Sequence, residues 1–246
     1  DTETTGIDRR IDHIIEIAVK VLCFETSSGK ILSVEGSYES FNDPEEDIST
    51  EITHLTGIDN KMVDGKFIDW NKVDALIQGV DIIIAHNASF DRAFIDRFSS
   101  ISPSKVWACS ISDIDWLERG FTSSKQELLC YWHGFYFDAH RAMNDVDALI
   151  HLLTFDTGLE RPLIELIKNS NKSEFVIYAE HFKYDPVKKD ILKGNKYRWN
   201  PNDKIWFKKV NLDELEHEKD WLTATIYDQV FKGRVEEIIP SNKYKL

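Results

Sequence analysis

Asp1 and Glu3 open the chain two residues apart, within Asp1-Thr2-Glu3-Thr4-Thr5-Gly6. Side chains two apart on a strand share a face, so both carboxylates point the same way. Repulsion and burial would raise both pKa values unless a cation sits between them. A hard divalent ion such as Mg²⁺ takes oxygen ligands and suits such a pair. The same spacing in Asp43-Pro44-Glu45 falls in a loop, so Asp-x-Glu alone does not define a site.

Two further acids sit where chemistry is plausible. Asp91 follows the short apolar run 80–85 and the turn His86-Asn87-Ala88. With Ser89 as the expected N-cap of a helix over 89–98, Asp91 falls in its first turn, just past the carboxyl end of a strand covered on both faces. An acid there can also simply complement the helix dipole. Asp145 adjoins the stripe Val146, Leu149, Ile150 and Leu153, which has the i, i+3, i+4, i+7 spacing of an amphipathic helix. Asp147 lies ~100° further round and is expected in solvent. His140, five residues before Asp145, belongs on the loop or first turn ahead of that helix.

The elements that must hold these groups are legible in outline. Residues 14–22 are apolar and β-branched, a strand after the turn at 6–12, and 31–41 form a third strand beyond the turn at Ser27-Ser28-Gly29-Lys30. Together with the Asp1 strand these predict an antiparallel meander. Helices are expected over 49–55, 70–78 and 125–131.

The chain has 246 residues, 42% hydrophobic and 12% aromatic, as in ordinary globular proteins. It contains no apolar run of the ~20 residues that a transmembrane helix needs. A first residue of Asp suggests that a few upstream apolar strand residues are missing. Its three cysteines, Cys23, Cys109 and Cys130, lack paired metal spacing and leave one unpaired in any disulfide scheme. Free thiols in a reducing, cytoplasmic setting are expected. The net charge of −13 disfavours polyanion binding at first sight. Residues 1–171 balance at −15, however, and 172–246 at +2. The change in character near Asn169-Ser170-Asn171 marks an expected linker between domains at 1–169 and 172–246.

Three stretches, in order and spacing, resemble the exonuclease motifs of the DnaQ-like superfamily in its DEDDh branch: Asp1–Gly6, His86-Asn87-Ala88-Ser89-Phe90-Asp91, and His140-Arg141-Ala142-Met143-Asn144-Asp145. The segments Val106–Ser110, Asp113–Trp116 and Tyr197–Asn200 are similar to a bacterial subgroup of stand-alone exonucleases with a small C-terminal extension. The resemblance implies an α/β, RNase H-like mixed sheet flanked by helices over roughly 1–155. It implies two divalent ions (Mg²⁺ or Mn²⁺) held by Asp1, Glu3, Asp91 and Asp145, with His140 as general base. It further implies 3′–5′ release of nucleoside 5′-monophosphates from single-stranded DNA or RNA ends, alone or beside a polymerase or repair partner. Thr4, Thr5, Gly6, His54, Asn87 and Phe90 are implied beside the terminal nucleotide. The competing expectation is a non-catalytic nucleic-acid-binding or scaffold module.

The remainder reads as a small α+β domain. Strands are expected at 174–180, 196–199, 204–210 and 234–239, and helices at 186–192 and 213–227. From 182 to 209 there are nine basic and three acidic residues, interleaved with Phe182, Tyr184, Tyr197, Trp199, Trp206 and Phe207. Such a stretch either lines a positive groove with stacking rings or forms one core-facing row with lysines on the wet face.

Overall fold

The structure, a computed structural model, describes residues 1–156, 158, 160–227 and 229–245. They form two units, Asp1–Asn171 together with Tyr244 and Lys245, and Lys172–Lys243.

In the first unit, β1 (Thr2–Thr4) pairs antiparallel with β2 (Ile14–Phe24), and β2 pairs antiparallel with β3 (Ile31–Phe41). The register sets Glu3 opposite Glu16, followed by a bulge between Glu3 and Thr4. The apolar start of β2 is buried on both faces: Ile14 and Ile17 join one core cluster while Ile15 joins another with Ile48, Ile58 and Val63. Three helices follow: α1 (Thr50–Thr56), α2 (Asn60–Val63) and α3 (Trp70–Gln78). Ser49 Oγ accepts from the Ile52 amide to start α1, and Gly57 ends it with φ 71°, in the left-handed region that glycine tolerates.

Next, β4 (Ile82–Ala85) pairs in parallel with β5 (Val106–Cys109), and α4 (Ala88–Ile95) lies in the crossover between them. Ile83 packs into the Phe94–Trp107 cluster, whereas Ile82 and Ile84 pack into the Leu129–Leu152–Leu166 cluster. The strand is thus covered on both faces as its composition implied. Helices α5 (Gln126–Trp132), α6 (Ala142–Thr154) and α7 (Pro162–Ser170) complete this unit.

The second unit runs β6 (Glu174–Ala179), α8 (Pro186–Gly194), β7 (Arg198–Asn200), β8 (Ile205–Asn211), α9 (Leu212–Thr225) and β9 (Arg234–Ile238). This β-α-β-β-α-β order folds into one antiparallel sheet ordered β7-β8-β6-β9. Ile177, Ala179, Trp206 and Val210 on one face pack with Leu192, Leu222 and Ile226. Asn211 and Glu214 form a capping box that starts α9.

Several expectations need correction. The units divide directly after Asn169-Ser170-Asn171, of which Asn169 and the fully buried Ser170 end α7 and Asn171 caps it, so the stretch itself is helix end rather than connecting coil. The second unit stops at Lys243, because Tyr244 returns to the first, where its hydroxyl donates to Asp113 Oδ2 at 2.8 Å. Helix α4 starts at Ala88 and stops at Ile95, three residues short of Phe98. Ser89 is therefore inside it, and Asn87 holds the cap position with φ 71°. Asp147 is exposed as expected but forms an ion pair with Lys20. Of the aromatics between 182 and 209, Tyr197 and Trp206 are core and Phe182 packs against it, which rules out a single stacking groove made of that set. Cys109 and Cys130 are buried and Cys23 is exposed, all as free thiols. Among the described residues, no helix is long and apolar enough to cross a membrane.

Candidate active site

The bulged end of β1 and the start of α6 bring Asp1, Glu3 and Asp145 together. One carboxylate oxygen from each lies within 4.8 Å of the others. Because β1 is so short, its place depends on β2: the Ala18 amide donates to Asp1 O at 3.0 Å, and the Asp1 backbone nitrogen donates to Ala18 O at 3.0 Å. Asp145 sits in the first turn of α6, where its carboxylate accepts from the Arg141 amide at 3.1 Å. Gln126 Nε2 donates to the Asp145 carbonyl at 2.7 Å and ties α5 to that turn.

Asp91 does not join this trio. It is buried in the first turn of α4 and its Oδ1 accepts from Thr2 Oγ1 at 2.9 Å. Its charge nevertheless reaches Glu3 and helps raise that residue's pKa. His140 precedes α6 in the left-handed region, φ 64°, and its imidazole is close enough to Asp145 to pull that carboxyl back down. Histidine visits this region more readily than bulky residues do, at some local cost.

The electrostatics of these acids favour a cation beside them. Burial, then the charges of Asp145, Glu16 and Asp91, push Glu3 up to about 8. Burial likewise raises Asp145, against the Arg141 amide and His140, and raises Asp91, against the Thr2 hydroxyl. Crowded oxygen donors with no sulfur or imidazole among the trio form a hard donor set that fits Mg²⁺ or Mn²⁺.

One residue of consequence escaped the sequence reading. Glu16 is buried opposite Glu3, and its carboxylate accepts from Arg141 Nη2 at 2.9 Å and from the Ala142 amide at 2.9 Å. Helix α6 has no side-chain cap from its own N-cap residue, Arg141. Glu16 supplies that acceptor from across the fold, so one side chain of β2 fixes where α6 begins, and with it Asp145 and His140. The available signal was a carboxylate inside the otherwise apolar run 14–19.

The residues expected beside a terminal nucleotide fare unevenly. Thr4 is buried and its hydroxyl donates to the Gly6 carbonyl at 2.5 Å, so it shapes the turn. Thr5 Oγ1 accepts from the His13 amide at 3.0 Å. A Cβ on Gly6 would lie 2.5 Å from Asp12 Oδ2, so a larger residue there would displace the carboxylate that accepts from the Asp8 amide at 2.6 Å. His54 is exposed near the end of α1, and Asn87 is exposed before α4. Phe90 is committed largely to packing, with its ring 5.1 Å from that of Phe94.

With the geometry in place, comparison with known proteins is informative. The exonuclease family model RNase_T matches residues 1–153. The DNA polymerase III PolC-type of Listeria welshimeri is 38% identical over 106 residues, covering 39% of this chain and 6% of the relative. That of Halalkalibacterium halodurans is 28% identical over 213 residues, covering 82% of this chain and 13% of the relative. The chain thus spans a small part of the length of these relatives. Among solved structures, the zinc-bound E. coli ExoI–ssDNA complex superposes with TM-score 0.54 at 17% identity, covering 100% of this chain and 63% of that one. A full-length 3′-exonuclease superposes with TM-score 0.51 at 18% identity, covering 65% of this chain and 60% of that one. These likenesses show the RNase H-like exonuclease fold.

Proposed function

The chain belongs to the RNase_T exonuclease family of the DnaQ-like superfamily, and from that premise we propose that it is a metal-dependent 3′–5′ exonuclease on DNA or RNA ends. The observation that carries this reading is the trio Asp1, Glu3 and Asp145, with oxygens within 4.8 Å of one another, beside a half-buried histidine. Asp1, Glu3 and Asp145 would hold a divalent ion, with Asp91 as the further carboxylate for a second. Bound there, two such ions supply an activated water at neutral pH and charge relief at the phosphoryl group and the leaving oxygen.

The protein's own groups account for the rest. His140 accepts the proton of the attacking water, a task for a group whose unperturbed pKa is ~6.5. The Asp145 carboxylate accepts from the amide of Arg141, the residue after His140, which ties the imidazole's backbone to the first turn of α6. Thr2 orients the Asp91 carboxylate, leaving its other oxygen for a ligand. Gly6 permits the tight turn that brings Thr5 and the loop after it to the edge of the site. The product would be a nucleoside 5′-monophosphate, and the setting a cytoplasmic one.

End-labelled single-stranded DNA and RNA, incubated with Mg²⁺ or Mn²⁺, test this reading. Stepwise 5′-monophosphate release that EDTA abolishes is the expected result. Binding without hydrolysis would instead make the chain a scaffold, and release of oligonucleotides from internal cuts would exclude an exonuclease.

A further inference from the structure

The second unit carries a feature that neither the family match over 1–153 nor the carboxylate site explains. Register aligns four residues in one row across its sheet: Arg198 on β7 opposite Phe207 on β8, Phe207 opposite Tyr178 on β6, and Tyr178 opposite Arg234 on β9. All four lie on the face turned away from the helix-covered core, since their neighbours Trp206, Ile177, Ala179 and Val235 fill that core. The Phe207 and Tyr178 rings are 6.5 Å apart at 40°, and the Arg234 guanidinium lies 3.9 Å from the Tyr178 ring centroid. Both arginines are exposed and both rings are half-buried.

Part of this face is covered, since Val176 beside Tyr178 is buried, and a cross-strand ring pair stabilises a sheet by itself; what packing leaves over is the exposed arginine at each end of the row. Two adjacent rings on the central strands of a four-stranded sheet are also a platform on which unpaired bases stack, with flanking cations taking phosphates. The ring separation is about twice the ~3.4 Å rise per stacked nucleotide, so adjacent bases would unstack and take one ring each. A duplex cannot present its bases in this way.

We propose that the β6–β9 sheet face binds single-stranded nucleic acid by stacking two bases on Tyr178 and Phe207, with Arg198 and Arg234 contacting the backbone. Glu236 accepts from Tyr178 Oη at 3.1 Å and from Arg234 Nη1 at 3.1 Å, while Arg234 Nε donates to Glu180 at 3.0 Å. These contacts hold the platform in place before a strand arrives. Lys209, on the same face, pairs with Glu174 at 3.5 Å. Arg198 has no such carboxylate partner among the described residues and is the group best placed for a phosphate.

Affinity of the full chain for labelled oligothymidylate and oligouridylate, measured in EDTA so that nothing is hydrolysed, tests the proposal without depending on the nuclease reading. Replacing both rings, Tyr178→Leu with Phe207→Leu, should weaken single-strand binding about tenfold or more per ring. The ring-preserving pair Tyr178→Phe with Phe207→Tyr should bind nearly as tightly as the natural chain. Arg198→Gln should lower the salt slope of binding by about 0.7. A folded leucine variant that binds like the natural chain, or equal affinity for duplex, would overturn the proposal. Should the leucine variant not fold, photocrosslinking of iodouracil-substituted strands to the natural chain decides the matter. Crosslinks within Glu174–Ala179 or Ile205–Asn211 support the site, and crosslinks only elsewhere refute it.

Discussion

Glu16→Ala should loosen the site without touching any proposed metal ligand. The Glu16 side chain is only 7% exposed, and it accepts from Arg141 Nη2 and from the Ala142 amide, both at 2.9 Å. A hydrogen bond to a charged group contributes about 1.5–3 kcal/mol, and Ala142, whose amide makes one of these bonds, is fully buried. Arg141 is 39% exposed, so water recovers part of its half of the pair. The loss therefore falls below the roughly 3–5 kcal/mol of a stranded buried charge. Relief of repulsion on Glu3 offsets a further part. The net expectation is a destabilisation of about 2–3 kcal/mol, with Glu16→Gln costing less because it keeps an acceptor for the amide. Urea unfolding followed by fluorescence, with amide exchange in the first turn of α6, measures both the global and the local effect. Nuclease rate should fall with the local change, since small misplacements of catalytic groups are costly. A Glu16→Ala chain within about 0.5 kcal/mol of the parent, the level of an ordinary surface change, with exchange at Ala142–Asp145 unaltered, would refute this role.

Other consequences are simpler to state. Asp145→Asn and Asp91→Asn should each abolish nucleotide release while leaving the circular dichroism unchanged; near-normal rates would remove that acid from the metal site. His140→Ala should cost about 10²–10⁴-fold in a chemistry-limited assay, and a loss below about tenfold would exclude it as the base. Burial pushes His86 down to about 4. Between that value and the unfolded ~6.5, the unfolded chain binds a proton that the folded chain does not. Stability should therefore be full above pH ~6.5 and fall by up to about 3 kcal/mol as pH drops towards 4. His86→Gln should flatten that slope, and an unchanged slope in acid-melting curves would assign the loss to other groups.

What the sequence made legible was local. The period-two placement of Asp1 and Glu3, the β-branched run of β2, and the apolar stripe beside Asp145 each follow from a few neighbouring residues. Three corrections arise where a distant element decides the outcome. Glu16 reads as a stray charge in a strand until Arg141 and Ala142, more than a hundred residues later, meet it. Phe90 sits within a motif but packs against the cluster that holds Ile14, Ile17 and Trp107, residues of β2 and β5. The aromatics of 182–209 were the conspicuous set, yet Tyr197 and Trp206 went inside. The half-buried pair, Phe207 with Tyr178, emerges only from the pairing of β6 with β8, a register set by non-local contacts. Asp91 is the instructive intermediate: its position past β4 was readable, whereas its bond to Thr2 and its separation from the trio were not.

Calorimetric titration with Mn²⁺ is the most direct test of the central claim, that Asp1, Glu3 and Asp145 form a cation site. The natural chain should show saturable binding that is lost in the Glu3→Gln, Asp145→Asn double variant, with both chains equally folded. Identical titration curves for the two would contradict the account.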